Sequence, residues 1–254
     1  MNLENKISKS IEIIKKTENL ALRYNEFGYH LAFSGGKDSQ VIYELAKMAG
    51  VKFNAYFYKT SVDAPELLTF IRSNYPDVIW LKPNETMYQI ILRKRMLPTR
   101  RMRFCCEILK ERQGFNSVVI VGLRKCESNS RSKRNEISHS CVNGKDKFLL
   151  SPILEWTNAD VWQFLKSRKV ESCILYNQFK RIGCIGCPMN NKTQRKEFEM
   201  FPNFKLAYLN TIKKLFDKGI FSDFEDEKDI LKWWTSGISK KKYMAMKNQL
   251  SIKF

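Results

Sequence analysis

An α/β fold, with a mainly parallel sheet covered by helices on both faces, is predicted by the 254-residue sequence. Three observations predict it. Short apolar runs alternate with amphipathic helical stretches, the connections are polar turns, and one turn is a glycine pair set directly between a strand and a helix. Residues 4–25 place Ile7, Ile11, Ile14, Leu20 and Leu22 at near-helical intervals, a first amphipathic helix. Tyr29–Phe33 is the first strand, and SGGKDS leads from it into the helical pattern QVIYELAKMAG, which Gly50 ends. VKFNAYFY alternates like a strand, and TSVDAPE turns the chain with Pro65 suited to the first turn of a helix. ELLTFIRSNY then reads as helix, DVIWLK as strand, ETMYQIILRKR as helix and FNSVVIVG as a buried strand opening on Gly122.

Residues 124–147 are polar and rich in Arg, Ser, Asn and Lys, and read as a long loop. FLLSPILEWTNADVWQFLKSRKV gives a short strand and a helix capped by Thr157 or Asn158, with Trp156 and Trp162 as core residues. From about Thr193 the pattern is helical to the end. The expected organisation is a domain over residues 1–190 with a helical C-terminal extension over 191–254.

Composition narrows the function. Lys and Arg number 45 against 26 Asp and Glu, a net charge of +19, and 43% of residues are apolar, so a packed core is affordable and general disorder is excluded. Between Lys82 and Arg134 stand 14 Lys and Arg against 4 Asp and Glu. That concentration calls for an anionic partner, nucleotide phosphates or a nucleic acid, against the plainer reading of a basic surface kept for solubility. No apolar run reaches the ~18 residues of a membrane span, and the first twenty residues lack a continuous apolar stretch, so a soluble, cytoplasmic protein is expected. Seven cysteines are an odd number for a secreted disulfide framework.

The glycine loop is the sharpest signal. Gly35 and Gly36 can present backbone amides that converge, with those of the helix start, on a phosphate. Ser34 and Ser39 add hydroxyls and Lys37 a charge. Adjacent glycines followed directly by lysine are not the Walker pattern. The string SGGKDS resembles the SGGxDS pyrophosphate loop of the N-type ATP pyrophosphatases, a superfamily that includes GMP synthetase, tRNA thiolases and the phosphoadenylyl-sulfate (PAPS) reductases. The resemblance implies a Rossmann-like, adenine nucleotide alpha-hydrolase-like sheet that binds ATP. It assigns Ser34, Gly35, Gly36, Lys37, Asp38 and Ser39 to the β- and γ-phosphates and Asp38 to the placement of Mg²⁺.

Three more segments resemble the PAPS reductase-like branch. TSVDAPE carries the acids Asp63 and Glu66. GLRKCESNSR matches a GxRxxES..R signature through Gly122, Arg124, Glu127, Ser128 and Arg131, and SPILEWTNADVW matches a third stretch. Together the matches run over residues 29–188. They imply nucleotide binding by Gly122, Arg124, Glu127, Ser128 and Arg131, and catalytic roles for Lys37, Asp38, Asp63 and Arg124. As chemistry, Arg124 and Arg131 offer bidentate forks to a phosphate or sulfate, whereas Glu127 serves equally well as an internal partner of either arginine.

RFCCEILK supplies Cys105 and Cys106, and RIGCIGCP supplies Cys184 and Cys187. A CxxC followed by Pro suits an iron–sulfur cluster or zinc, and adjacent cysteines are unusual for zinc. Buried thiols or a redox pair are the readings without metal. CC…CxxC resembles the [4Fe–4S] ligand set of cluster-containing sulfonucleotide reductases and of DNA phosphorothioation ATP pyrophosphatases, which implies metal ligation by Cys105, Cys106, Cys184 and Cys187. Gly183 and Gly186 fit a turn aiming amides at cluster sulfurs. Cys126, Cys141 and Cys173 read as packing residues, with Cys126 set apart by its cationic neighbours, and His30 reads as strand packing.

The function expected is an ATP pyrophosphatase that adenylylates an acceptor for sulfur transfer. In the phosphorothioation systems the acceptor is a DNA backbone phosphate and a cysteine desulfurase is the partner, with Arg93, Lys94, Arg95, Arg100, Arg101 and Arg103 as candidates for DNA contacts. Assembly as a homo-oligomer is also expected. The alternatives are a PAPS or adenylyl-sulfate reductase and a non-catalytic nucleotide-binding module. The reductases carry a cysteine in a C-terminal ECGIH-like segment, and no cysteine follows Cys187 here.

Overall fold

The computed structural model describes residues 2–142 and 144–251. The chain forms two compact units that interleave in sequence: Met1–Lys59, Pro65–Lys82 and Glu111–Ile182 make one, and Thr60–Ala64, Pro83–Lys110 and Gly183–Phe254 make the other.

The first unit holds a six-stranded sheet in the order β3-β2-β1-β4-β6-β5. Its strands are β1 (Tyr29–Phe33), β2 (Phe53–Tyr58), β3 (Ile79–Leu81), β4 (Ser117–Ile120), β5 (Ile137–Val142) and β6 (Lys145–Leu150). All neighbours are parallel except β5, which runs antiparallel to β6 at one edge. The chain leaves β1 for β2 on one side and returns to β4 on the other, so the strand order reverses between β1 and β4. Outside the carboxyl ends of two such strands an open α/β sheet leaves a crevice for ligands.

Helices α1 (Leu3–Tyr24) and α2 (Lys37–Ala49) pack on each other and on β1, with α1 also against β4. They cover Tyr29, Leu31 and Phe33, which alternate along β1 and are all buried. Each helix has local cause. Asn2 caps α1 by accepting the Asn5 amide at 2.9 Å, and Gly50 ends α2 in the left-handed conformation, φ +68°. α3 (Pro65–Asn74) starts on its proline. α7 (Asn158–Ser167) begins at Thr157, whose side chain and the Asp160 carboxylate cap each other's backbone amides. Asp160 also takes the Lys6 ammonium at 2.5 Å, and the Trp156 indole donates to Ser10 Oγ at 3.1 Å, so both ends of this segment are tied to α1. Trp156 is core, but Trp162 is half-buried and stands edge-on to Tyr176.

The stretch expected as a long loop is folded. A 3₁₀ turn, Lys125–Glu127, leads to the one-turn helix α6 (Asn129–Ser132), and β5 and β6 make a hairpin. Serines dilute the apolar alternation of ISHSCV, so its strand character comes from pairing with β6: His139 stacks on its cross-strand partner Phe148 at 4.4 Å. Cys141, expected as a packing residue, lies exposed on this edge.

The second unit is helical: α4 (Met87–Lys94), α5 (Phe104–Cys106) running into a π-helical turn at Glu107–Glu111 whose last residue belongs to the first unit, then α8 (Gln194–Met200), α9 (Pro202–Phe216), α10 (Glu227–Trp234) and α11 (Lys240–Ser251). Thr86 and Gln89 close a capping box on α4. Tyr208 and Trp234 form the centre of this unit, ring centroids 5.1 Å apart, and the Trp234 indole donates to the Pro98 carbonyl at 2.7 Å. No helix among the described residues is long and apolar enough to cross a membrane.

His30, in β1, is buried, stacked on Tyr56 at 4.0 Å and hydrogen-bonded to the Tyr58 hydroxyl. Burial, assisted by the Lys147 charge, lowers its pKa to about 4. The folded state therefore favours the neutral ring. The stability this confers is complete above the unfolded-state value of about 6.5 and is lost as pH falls from there towards 4, by roughly 3 kcal/mol at most. Urea unfolding at pH 7.5 and pH 4.5 is expected to show that loss for the wild type and a clearly smaller one for His30→Gln; equal losses would remove His30 as the cause.

Candidate phosphate corner and cysteine cavity

In the first unit, β1 delivers the chain to Ser34, and α2 begins three residues later at Lys37. Gly35 sits at φ +70° with its Cα pressed against α3: a Cβ there would lie 2.7 Å from Leu67 and 2.8 Å from Ile71. Only glycine reconciles that backbone with that contact. Ser34 Oγ donates to Ser39 Oγ at 3.1 Å, and Ser39 Oγ donates to the Gly36 carbonyl at 2.8 Å, so the loop is braced from within. Gly36 precedes the helix without a side chain to cap it, so no side chain of the loop takes the first amides of α2.

The switch-point neighbour, the loop after β4, closes on this corner. A Cβ on Gly122 would stand 2.9 Å from the Asp38 carbonyl oxygen, so the two backbones touch. Two residues on, Arg124 is 3% exposed with its Nε 2.7 Å from Asp38 Oδ1, while Lys37 Nζ is 3.1 Å from Asp38 Oδ2. Neither Arg124 Nε nor Asp38 Oδ1 has an aligned hydrogen-bond partner. Two buried cations thus flank one carboxylate at the start of α2, Lys37 in a hydrogen bond and Arg124 in a contact of charge without aligned geometry. A helix N-terminus favours negative charge, and the two cations add to that preference.

Of the other residues singled out in sequence, Glu127 accepts the Arg124 backbone amide at 3.2 Å and pairs with the Arg131 guanidinium, the internal role open to it. Ser128 caps α6. Arg124 also donates to Cys126 Sγ at 3.3 Å, and Cys126 is exposed. One residue of the corner carried no sequence signal: Tyr176, whose hydroxyl oxygen accepts the Lys37 amide at 2.7 Å.

In the second unit, Cys105, Cys106, Cys184 and Cys187 all line one small pocket, walled by Met87, Leu109, Pro188 and Tyr208. Half-buried Lys110 lines it too, its ammonium held charged above all by Cys184, then by Asp63 and Cys106. Cys106 is the acidic thiol of the adjacent pair, pushed down first by the hydrogen bond with Cys105 and then by Arg103, while burial pushes Cys187 up to about 11. Among the described residues no three His, Cys, Asp or Glu side chains converge as a set for a single metal ion. The sulfurs border a space rather than a point.

The CxxC turn is held by α8 and α9. Glu197 accepts the Gly186 amide at 2.8 Å, Gln194 donates to the Gly186 carbonyl at 2.8 Å, and Tyr208 donates to the Ile185 carbonyl at 3.3 Å. The Gly186 amide expected to face a cluster sulfur is therefore directed at Glu197 instead. Asp63 belongs to this unit, its carboxylate accepting both the amide and the hydroxyl of Thr60 at 2.7 Å. Of the basic candidates, Arg93 is forked onto Glu85 at 2.7 and 2.6 Å and Arg103 faces Cys106; Lys94, Arg95, Arg100 and Arg101 are exposed.

Comparison with known proteins agrees with this architecture. A profile of the phosphoadenosine phosphosulfate reductase domain matches residues 28–190. The chain belongs to that family. Among curated proteins it is 28% identical over 221 residues to an uncharacterised protein of Methanocaldococcus jannaschii, covering 81% of this chain and 52% of that one. It is 25% identical over 181 residues to adenosine 5'-phosphosulfate reductase of Bacillus velezensis, covering 65% and 76%. Among solved structures, FMN adenylyltransferase of Candida glabrata, in complex with FAD and inorganic pyrophosphate, shares the fold at a TM-score of 0.52 and 19% identity, covering 72% of this chain and 64% of that one. The chain spans about half the length of the archaeal relative. In this PAPS reductase-domain chain the glycine loop lies at the β1–β4 switch point and the cysteine quartet in the helical unit.

Proposed function

We propose that this PAPS reductase-domain protein is an ATP pyrophosphatase that transfers the adenylyl group to an acceptor and so prepares it for sulfur insertion. The observation that carries the reading is the corner itself: Lys37 and Arg124, both buried, against Asp38 at the start of α2. The β- and γ-phosphates would bind the loop amides of Gly35, Gly36, Lys37, Asp38 and Ser39 with the Ser34 and Ser39 hydroxyls. Charge accumulates on pyrophosphate as the bond to the α-phosphorus breaks, and Lys37 and Arg124 neutralise it there; positioning and charge then supply most of the acceleration. Asp38 is the carboxylate that would hold Mg²⁺, which typically binds one or two carboxylates together with substrate phosphates. The acceptor we favour is a DNA backbone phosphate, with Lys94, Arg95, Arg100 and Arg101 as exposed contacts and a cysteine desulfurase as the sulfur source.

Incubation with ATP and Mg²⁺ is expected to yield AMP and pyrophosphate, faster in the presence of DNA. ATP left intact with tight binding of adenylyl sulfate would establish the reductase reading instead. ATP bound and left intact, without that preference, would make the chain a binding module.

We infer a [4Fe–4S] cluster at the cysteine pocket, a reading supported by four sulfurs bordering one space, its apolar walls and the Lys110 cation available to balance thiolate charge. Cys105, Cys106, Cys184 and Cys187 would hold it, and when bound such a cluster supplies a one-electron centre. Protein purified without oxygen is expected to be brown, with a broad absorption near ~400 nm and about four irons per chain. Cys184→Ser is expected to lose both. Colourless protein with stoichiometric zinc would overturn the assignment.

A further inference from the structure

The first amide of α2, at Lys37, is an anion donor that the loop itself leaves without an acceptor, because Gly36 has no side chain to offer. Its acceptor comes from 139 residues away. The Tyr176 hydroxyl oxygen lies 2.7 Å from the Lys37 nitrogen, and a Cβ placed on Gly36 would come within 3.4 Å of the same oxygen. The phenol therefore stands where an oxygen of a bound phosphate would stand. Tyr176 rises from the 3₁₀ turn Ile174–Asn177, which packs on α3, and Trp162 meets its ring edge-on at 5.0 Å and 86°. Asp38 and Arg181 also face it, and burial keeps the phenol protonated. It is a neutral acceptor on a donor suited to an anion.

We infer that Tyr176 is an internal stand-in for a phosphate oxygen, seated on the loop when no polyphosphate is bound and displaced from the Lys37 amide when one binds. The inference rests on the phosphate-corner reading above and deepens it. A hydrogen bond to a charged acceptor is about twice as strong as one to a neutral acceptor, so phosphate wins the exchange. It wins only by the difference, because the contact with Tyr176 must be given up. Tyr176 thus sets how tightly the corner holds pyrophosphate, which keeps the product of the proposed reaction releasable.

The test is calorimetric titration of the full chain with magnesium pyrophosphate. Removing the competing oxygen in Tyr176→Phe is expected to tighten binding about threefold to tenfold, the worth of one net hydrogen bond. Because Trp162 loses its partner ring on displacement, pyrophosphate is also expected to change the tryptophan emission of the wild type and not that of Trp162→Phe. Equal or weaker binding by Tyr176→Phe, or wild-type emission that saturating pyrophosphate leaves unmoved, overturns the stand-in while leaving the phosphate corner in place. Failure of both wild type and Tyr176→Phe to bind pyrophosphate overturns the corner and the stand-in together.

Discussion

Asp38→Asn is expected to lower ATP-dependent pyrophosphate release by about 100-fold or more, the scale seen when one preorganised polar group is removed from a reacting centre. Asp38 touches both cations of the corner, Lys37 at 3.1 Å and Arg124 at 2.7 Å. Asparagine fills the same space but cannot hold Mg²⁺ as a carboxylate does. It also leaves the two cations without their counter-charge. Affinity for magnesium-free pyrophosphate is therefore expected to hold or rise while turnover collapses, a split that general damage to the fold would not produce. Breaking a buried pair leaves Arg124 uncompensated, so the melting temperature is expected to fall as well. Chromatographic measurement of AMP, paired with pyrophosphate titration, checks the split; turnover within a factor of two of wild type would remove Asp38 from the chemistry.

Gly122→Ala is expected to damage stability and activity together. The new Cβ would sit 2.9 Å from the Asp38 carbonyl oxygen and 3.1 Å from the Asp38 Cβ, and neither atom is the free end of a flexible side chain. The loop after β4 and the first turn of α2 must separate by a few tenths of an ångström. Overpacking of this kind costs roughly 1–3 kcal/mol. Arg124, two residues along the same loop, moves with it, so its contact with Asp38 opens. Thermal unfolding should show a drop of about 2–4 °C for each kcal/mol in a chain of this size, and turnover should fall at least about tenfold. A variant as stable and as active as wild type would mean that the two backbones are less tightly set than their contact implies.

The architecture was legible because strands and helices alternate with strong local signals. Pro65 starts α3, Gly50 ends α2, and Thr157 caps α7, all readable as chemistry before any contact is known. The glycine loop was legible for the same reason: it is contiguous. The hairpin of β5 and β6 was missed because serines mask its alternation, although Asn143-Gly144 between the two strands is a strong short-range hairpin signal in the sequence. Tyr176 had no such signal. Its partner Lys37 is 139 residues distant, and a tyrosine in LYNQF looks like any half-buried ring. Lys110 is in part a matter of spacing, since it follows Cys106 by four residues, but its charge balance depends on Cys184, which only the fold brings near. The Gly186 amide was misassigned because the acceptor that claims it, Glu197, lies on a helix whose approach no local pattern announces.

The polypeptide passes between its two compact units five times, at Lys59/Thr60, Ala64/Pro65, Lys82/Pro83, Lys110/Glu111 and Ile182/Gly183. No single cut can therefore free either half intact, and neither half can be grafted onto another protein as one uninterrupted stretch. A deletion series from either terminus should yield no autonomous fragment carrying the whole sheet or the whole quartet of thiols. Recombination during descent would have had to carry both bodies along as a single heritable block.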